Sequence, residues 1–326
     1  MNRFLLICCL LCFAVGNLLA QIRYQEPIAD SILMDTFTYV EKDQTKLEMD
    51  LYQPAFDGLD LRPVLVYVHG GGFSGGQRDE PFIRDFCKRV ASYGYVAVSI
   101  DYRLTRKNTE TGFGCDCPAG EKLETFRAAV EDLQDATYFL IERWEQLGID
   151  PHKIILAGSS AGAETVLNTA FQAPYCYGLD SGPVSYAGVI GMAGAIPDTT
   201  AIYRDSAVPA MFFHGTCDNL VPYGSAPHHY CPDEKPGYLM LHGSYAMAES
   251  LRKLGKPYWL NTICGGNHSL ASSPMADYFD EIVKFCYDFV LMNKHVQMHS
   301  IIAGDHDCDY PAFNYCESEK TEYDED

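Results

Sequence analysis

The pentapeptide GSSAG at residues 158–162 restricts the fold of this chain more than any other stretch. It follows an apolar run at residues 153–157 and precedes residues 163–171, which read as a helix. In that context the pattern G-x-S-x-G predicts a strand that turns sharply into a helix, because small flanking residues permit a strained turn. Ser160 would then stand exposed at the helix N-terminus, where free N–H groups, including that of Ala161, face any negative charge forming beside it. An ordinary glycine- and serine-rich turn is the alternative.

Apolar runs separated by amphipathic segments predict the architecture around this turn. Residues 36–42 and 46–52 alternate apolar and polar side chains, so we expect them to form an antiparallel hairpin. Continuous apolar runs, typical of parallel strands covered on both faces, occupy residues 63–68, 95–100, 186–195, 208–213 and 258–264. Helical periodicity is found at residues 81–93, 123–147, 244–254 and 275–292. We therefore expect an α/β fold with a mostly parallel central sheet, an antiparallel N-terminal edge hairpin and helices on both faces.

The first of the predicted parallel strands ends in HGGGFSGG, residues 69–76. Consecutive residues without a Cβ let the backbone pass close to a reacting carbonyl group and direct N–H groups at it, so Gly71 and Gly72 are predicted oxyanion donors. A flexible glycine turn or a phosphate loop are the alternatives. The segment lacks the Lys-Ser/Thr ending of a Walker sequence and the G-x-G-x-x-G spacing of a dinucleotide site. His69 is expected to hold the loop in place.

Two residues in later loops are candidate partners of Ser160. Asp218 follows the apolar run at residues 208–213, where a carboxylate can orient a histidine at the C-terminal edge of the sheet. An acid in an ordinary turn is the alternative. His268 follows the last predicted strand and two glycines, which makes it the candidate base. Rival histidines in or near the same loops are His214, His228, His229 and His242.

The N-terminus has the layout of a secretory signal peptide: Arg3, an apolar run at residues 4–15, and small residues ending at Ala20. The run is short for a membrane span. We expect an exported chain with no integral membrane span after cleavage; an uncleaved anchor is the alternative. Residues 21–326 would form a single catalytic domain, with its core at about 36–293 and an acidic, cysteine-containing tail at 294–326. A formal net charge of −20 argues against nucleic acid as a partner.

Thirteen cysteines occur in the chain, and an even number remains after the signal segment, which suggests disulfides in an exported protein. Their spacing offers no zinc site, and Cys115 and Cys117 are expected to reach separate partners. Cys217 directly precedes the predicted acid, and Cys264 lies just before the predicted base. Adjacent parallel strands are about 4.8 Å apart, and a disulfide joins Cα atoms roughly 4.4 to 6.8 Å apart. We therefore expect a Cys217–Cys264 bridge, with two buried free thiols as the alternative.

In this order, HGGGF, GSSAG, HGTCD and GGNH resemble the motifs of the α/β-hydrolase superfamily, specifically its secreted carboxylesterase and lipase-like branch with an HGGG oxyanion loop. The resemblance extends over about residues 36–293 and includes the DYRL turn at 101–104. It implies hydrolysis of small-molecule or glycan-linked carboxylic esters without a metal or organic cofactor. Ser160 would be the nucleophile, Asp218 the acid and His268 the base, in the chain order of the fold. A serine peptidase of the same fold and a non-catalytic binding protein are the alternatives.

Overall fold

The computed structural model describes residues 23–42, 44–172, 178, 184–304 and 316. The predicted signal segment at residues 1–20 and most of the predicted acidic tail, residues 305–315 and 317–326, lie outside the described residues. Within the described ranges, none of the helices combines the length and the apolar character that a membrane crossing requires.

The secondary structure alternates between strands and helices over most of the chain. The strands are β1 (Ile32–Lys42), β2 (Thr45–Pro54), β3 (Arg62–Val68), β4 (Val96–Ile100), β5 (Ile149–Ser159), β6 (Gly188–Met192), β7 (Ala195–Ile196), β8 (Ala210–Gly215), β9 (Ser225–Pro227), β10 (Met240–Gly243), β11 (Tyr258–Ile263) and β12 (Gln297–Ile302). The helices are Pro81–Ser92, Ala119–Glu142, Trp144–Leu147, Ala161–Phe171, Ser244–Leu254, Pro274–Asp277 and Phe279–Phe285, followed by the π-helical segment Cys286–Leu291.

The central sheet has the strand order β1-β2-β4-β3-β5-β6-β8-β11-β12. β1 pairs with β2 and β2 with β4 in the antiparallel sense, whereas β3, β4, β5, β6, β8, β11 and β12 are joined by parallel pairings. The predicted mostly parallel sheet with an antiparallel edge hairpin is therefore confirmed. Strands β7, β10 and β9 form a separate small sheet.

The core lies in two layers, one on each face of the central sheet. β3 shows why its apolar run is continuous: Val64, Val66 and Val68 belong to one layer, and Leu65 and Tyr67 belong to the other. Successive strand side chains point to opposite faces, so a strand covered on both sides needs an apolar residue at every position. Helices Ala119–Glu142 and Ala161–Phe171 cover the first face, and helices Pro81–Ser92 and Phe279–Phe285 cover the second.

The structure differs from the sequence expectations at three elements. β12 lies beyond the predicted core and pairs in parallel with β11; its side chains are mostly half-buried, so it carries no continuous apolar run. The predicted helix at 275–292 is broken at Tyr278, whose φ of −125° is not helical. In helix Pro81–Ser92, Ile83 is buried, whereas Phe82 is 46% exposed. The helical spacing of Phe82, Phe86 and Val90 in the sequence predicts instead that Phe82 lies on the buried side.

Candidate active site

Ser160 lies at the turn between β5 and helix Ala161–Phe171, with φ 50° and ψ −120°. Positive φ at a residue with a side chain costs about 1–3 kcal/mol, so the surrounding packing must hold the turn. The two flanking glycines allow that packing. A Cβ on Gly162 would lie 2.0 Å from the carbonyl oxygen of Val68, and a Cβ on Gly158 would lie 2.3 Å from that of Gly162. The predicted strained turn is what the structure shows.

Ser160, His268 and Asp218 form a continuous chain of hydrogen bonds. Ser160 Oγ lies 2.8 Å from His268 Nε2, and His268 Nδ1 lies 2.7 Å from Asp218 Oδ2. β8 and β11 are parallel neighbours in which Gly215 pairs with Ile263, so the loops that follow these strands leave the same edge of the sheet. The structure therefore brings together three residues that are far apart in the sequence.

Asp218 is completely buried and is held by four polar groups. Its Oδ1 accepts the backbone N–H groups of Leu220 and Val221, each at 2.9 Å, and its Oδ2 is approached by His268 Nδ1 and by His214 Nε2, the latter at 3.4 Å. Burial opposes ionisation, but the hydrogen bonds from His214 and His268 outweigh it and hold the pKa of Asp218 below its usual range. An ionised Asp218 accepts a proton-bearing Nδ1, which leaves Nε2 of His268 free to accept from Ser160.

The rival histidines have other roles. His214 is fully buried, with Nδ1 2.8 Å from Ser244 Oγ and Nε2 3.1 Å from the carbonyl oxygen of Val221. His242 Nδ1 lies 2.8 Å from Ser225 Oγ. Among the described histidines, His268 is the one hydrogen-bonded to Ser160. His214 thus contacts Asp218, the candidate acid, rather than Ser160.

The glycine loop lies against Ser160. Gly71 has φ 119°, and a Cβ there would lie 2.2 Å from the carbonyl oxygen of Gly75. The N–H groups of Ser74 and Gly75 donate to the Gly71 carbonyl oxygen at 3.1 and 3.0 Å, which fixes the turn. Within the described part of the chain, the N–H groups of Gly71, Gly72 and Ala161 make no hydrogen bond, and all three residues line the cleft that contains Ser160.

The cleft has a volume of about 570 Å³, large enough for a small organic ligand. One part of its lining comes from two loops, around residues 105–118 and 216–239. The Cys115–Cys231 disulfide, with its Cα atoms 5.3 Å apart, joins these loops, and the Gly237 N–H donates to the Cys115 carbonyl oxygen at 2.9 Å. Both contacts hold this wall of the cleft in one arrangement.

Parts of the chain are similar to known hydrolases and esterases. The sequence model of the BD-FAE family matches residues 49–174, and the Phospholipase/Carboxylesterase model matches residues 120–230. Gut esterase 1 of Caenorhabditis elegans is 33% identical over 104 residues, 32% of this chain and 17% of that protein. Phenmedipham hydrolase of Pseudarthrobacter oxydans is 30% identical over 125 residues, 38% of this chain and 23% of that protein. The chain thus covers less than a quarter of the length of the curated relatives named here.

A solved esterase from Thermogutta terrifontis, with propionate bound, superposes with a TM-score of 0.57 at 20% sequence identity, covering 80% of this chain and 95% of that chain. The chain has the α/β-hydrolase fold. In this fold, β5, β8 and β11 carry Ser160, Asp218 and His268 to one edge of the sheet. That edge is where open α/β folds bind ligands.

The predicted Cys217–Cys264 disulfide is wrong. Cys264 is bonded to Cys316, with Cα atoms 5.9 Å apart, and Cys217 is disulfide-bonded elsewhere. The adjacency of β8 and β11 was predicted correctly, but β12 was not foreseen on the other side of β11. The Cys264 N–H donates to the Ile302 carbonyl oxygen of β12 at 2.9 Å, so this residue pairs with the outer strand and bonds to the segment that follows it.

Other cysteine expectations are met in part. Cys115 forms a disulfide with Cys231, whereas Cys117 is a buried free thiol and has no bonded partner of its own. Cys87 and Cys286 are also buried free thiols within the described residues. Sequence spacing could not separate bonded from unbonded cysteines, because pairing depends on which loops the fold brings together.

We expect Cys316→Ser to destabilise the protein. The Cys264–Cys316 bridge closes a loop with a sequence separation of 52. In the chain-entropy model, loss of the bridge gives the unfolded chain more conformational freedom and lowers the free energy of unfolding by up to about 4 kcal/mol. Denaturant unfolding of protein produced under oxidising conditions measures the effect. The Cys264→Ser/Cys316→Ser double variant removes the same bridge and should be no less stable than the single variant. An unchanged unfolding midpoint in both variants would contradict the structural role of the bridge.

Sequence reasoning missed Glu164 and named His228 and His229 only as rival bases, although all three residues line the cleft. Glu164 follows Ser160 by one helical turn, so the i, i+4 spacing could have indicated that both lie on one face of the helix. His228 and His229 carried no comparable signal, because their position depends on the path of a long loop.

Proposed function

We propose that this chain is a serine hydrolase that cleaves carboxylic esters through an acyl-enzyme on Ser160. The observation that carries the proposal is the hydrogen-bonded chain from Ser160 through His268 to Asp218 at the edge of an open cleft. Its similarity to proteins named esterases, and to an esterase solved with propionate bound, supports the same reaction class. The substrate would be a small-molecule or glycan-linked ester.

In the first half of the reaction, Ser160 Oγ attacks the ester carbonyl carbon while His268 Nε2 takes the hydroxyl proton. Asp218 holds the imidazole through Nδ1–H and stabilises the imidazolium that forms. The tetrahedral intermediate then collapses, and His268 gives the proton to the departing alcohol oxygen. In the second half, His268 takes a proton from water, the resulting hydroxide attacks the acyl carbon, and the carboxylic acid leaves as Ser160 regains its proton.

The unpaired N–H groups of Gly71, Gly72 and Ala161 would stabilise the oxyanion of each tetrahedral intermediate. Donors fixed in position before the reaction cost no reorganisation when charge develops, and each contributes about 3 kcal/mol to transition-state binding. The positive φ of Gly71, which glycine adopts readily, supports a loop that directs this N–H into the cleft rather than at its own backbone.

We expect Gly71→Ala to lower kcat about 10²- to 10³-fold with a small effect on KM. The added Cβ would lie 2.2 Å from the Gly75 carbonyl oxygen, so the loop must move and the donor loses its position. Gly75→Ala is the matched control, because a Cβ at that position lies 4.0 Å from its nearest neighbour. Steady-state kinetics on one ester compare the two variants, and equal losses in both would argue against Gly71 as a donor.

A fluorophosphonate probe followed by peptide mapping tests the reaction class. Covalent labelling at Ser160 is expected, and an absence of labelling would favour a non-catalytic binding protein. Parallel rates on an acyl ester and the matching aminoacyl amide separate an esterase from a serine peptidase, since both use the same groups. Faster cleavage of the amide would favour the peptidase.

We further propose that the protein is exported after cleavage behind Ala20, leaving one catalytic domain at residues 21–326. The disulfides Cys115–Cys231 and Cys264–Cys316 support this compartment, because disulfides persist in oxidising environments. N-terminal sequencing of the protein recovered outside the cytoplasm is expected to begin at Gln21.

A further inference from the structure

Glu164 is a buried carboxyl group in the wall of the cleft that the proposed reaction does not use. It follows Ser160 by one turn of helix Ala161–Phe171, and its backbone N–H donates to the Ser160 carbonyl oxygen at 2.9 Å. Its side chain is 2% exposed and lines the cleft. Its Oε1 has no hydrogen-bond partner among the described residues, which is uncommon for a buried oxygen.

His228 is a second buried polar group in the same wall. Its side chain is 1% exposed, and its Nε2 lies 3.7 Å from Glu164 Oε1, which is beyond hydrogen-bond distance. Its Nδ1 also has no partner in the described part of the chain. The ring packs edge-on against Phe113 with centroids 5.1 Å apart, and the nearby Cys115–Cys231 disulfide holds the loop. Two side chains with unpaired polar atoms are therefore fixed beside the nucleophile.

Burial favours the neutral form of both groups. Burial raises the pKa of the Glu164 carboxyl well above its usual range, and the ammonium group of Lys122 opposes this only in part. Burial lowers the pKa of His228 well below its usual range, and His229 and Lys122 lower it further. Lys122 itself donates to the Gly237 carbonyl oxygen at 2.8 Å. A neutral carboxylic acid and a neutral imidazole can each donate one hydrogen bond and accept another.

This chemistry fits a hydroxyl group better than an anion, a cation or an apolar group. An anion would need a positive partner, and a cation would need an ionised carboxylate. An apolar group would leave the unpaired atoms as they are. A hydroxyl both donates and accepts, so it can satisfy Glu164 and His228 together and recover the cost of leaving them unpaired. Sites built in this way discriminate strongly against analogues that lack the hydroxyl.

We propose that Glu164 and His228 form a hydrogen-bonding subsite that selects esters carrying a hydroxyl group on the acyl or the alcohol part. The inference rests on the proposed ester hydrolysis at Ser160 and names the substrate class of that cleft. Glu164 and His228 act on the choice of substrate rather than on bond breaking.

Matched ester pairs test the subsite and distinguish the two sources of the hydroxyl. The acyl pair is p-nitrophenyl butyrate with p-nitrophenyl 3-hydroxybutyrate; the alcohol pair is propyl butyrate with 3-hydroxypropyl butyrate. We expect kcat/KM to be at least about tenfold higher for the hydroxylated member of one pair. Glu164→Met and His228→Phe should each bring that ratio close to one. Glu164→Gln should keep most of it, because an amide also donates and accepts.

Glu80→Met is the matched control, since Glu80 also lines the cleft but is partly exposed to solvent. It should leave the ratio unchanged. The melting temperature of Glu164→Met should not fall, because the buried carboxyl leaves an oxygen unpaired. A ratio near one in both pairs for the unmodified protein would overturn the subsite. The subsite would also be overturned if Glu164→Met lowered kcat/KM equally for both members of a pair and lowered the melting temperature, because these two results together indicate a structural role.

A binding measurement separates this inference from the proposed reaction. Calorimetry with the Ser160→Ala protein should show tighter binding of the hydroxylated ester by about tenfold, and Glu164→Met in that background should remove the difference. Equal affinities would refute the subsite even if the unmodified protein hydrolyses esters. Failure of the unmodified protein to hydrolyse any of the four esters, with the affinity difference intact, would refute the proposed reaction and retain the subsite.

Discussion

Ser160→Ala is expected to lower ester turnover by 10⁴-fold or more, on the order of the losses seen when a serine nucleophile is removed. The variant keeps the cleft and the His268–Asp218 pair but has no oxygen to form the acyl-enzyme. It should fold normally, because alanine tolerates the φ of 50° as well as serine does. Burst kinetics and the melting temperature measure the two effects separately.

Two neighbouring substitutions make this result specific. Ser160→Gly should be equally inactive and about 1 kcal/mol more stable, because glycine adopts positive φ without a steric penalty. Ser159→Ala should retain turnover within about tenfold, since the Ser159 hydroxyl accepts from Tyr67 at 2.9 Å rather than facing His268. Loss of turnover in Ser159→Ala with retention in Ser160→Ala would place the nucleophile one residue earlier.

The parallel strands and the Ser160 turn were accessible from the sequence because they depend on local patterns. Continuous apolar runs identified the parallel strands, and the glycines around Ser160 are required by contacts as short as 2.0 Å to an added Cβ. Asp218 and His268 were found because the C-terminal ends of parallel strands share one edge. In each case the chain's local sequence carries the constraint.

Features that depend on distant pairing were not accessible. β12 is an edge strand with half-buried side chains, so its sequence has no strong periodicity, and missing it led to the wrong partner for Cys264. Glu164 and His228 come together in one wall of the cleft only because a long loop returns to the helix of Ser160. Neither residue has a spacing that predicts the other. Such contacts are set by tertiary packing rather than by residue order.

Asp218→Asn is expected to lower kcat about 10³- to 10⁴-fold with a much smaller change in KM. An amide in place of the carboxylate can present N–H to His268 Nδ1, which favours the tautomer whose Nε2 faces Ser160 with a proton. The substitution also removes the negative charge that stabilises the imidazolium. The exposed Asp233 in the same loop supplies the matched control, and Asp233→Asn should leave kcat unchanged; an equal loss there would relocate the acid.

His214→Asn should lower kcat about tenfold, which is less than the loss expected for Asp218→Asn, because His214 positions the acid without contacting the substrate. Its Nε2 lies 3.4 Å from Asp218 Oδ2, and it helps to hold the pKa of Asp218 below its usual range. Since Asp218 then stays ionised over the pH range in which histidines titrate, the acid limb of kcat/KM in the unmodified protein should report one ionisation. His214→Asn should raise the pKa of Asp218, so the acid limb of the variant's kcat/KM profile should steepen or move to higher pH. A merely structural defect would instead lower kcat/KM at all pH values without changing the shape of the profile.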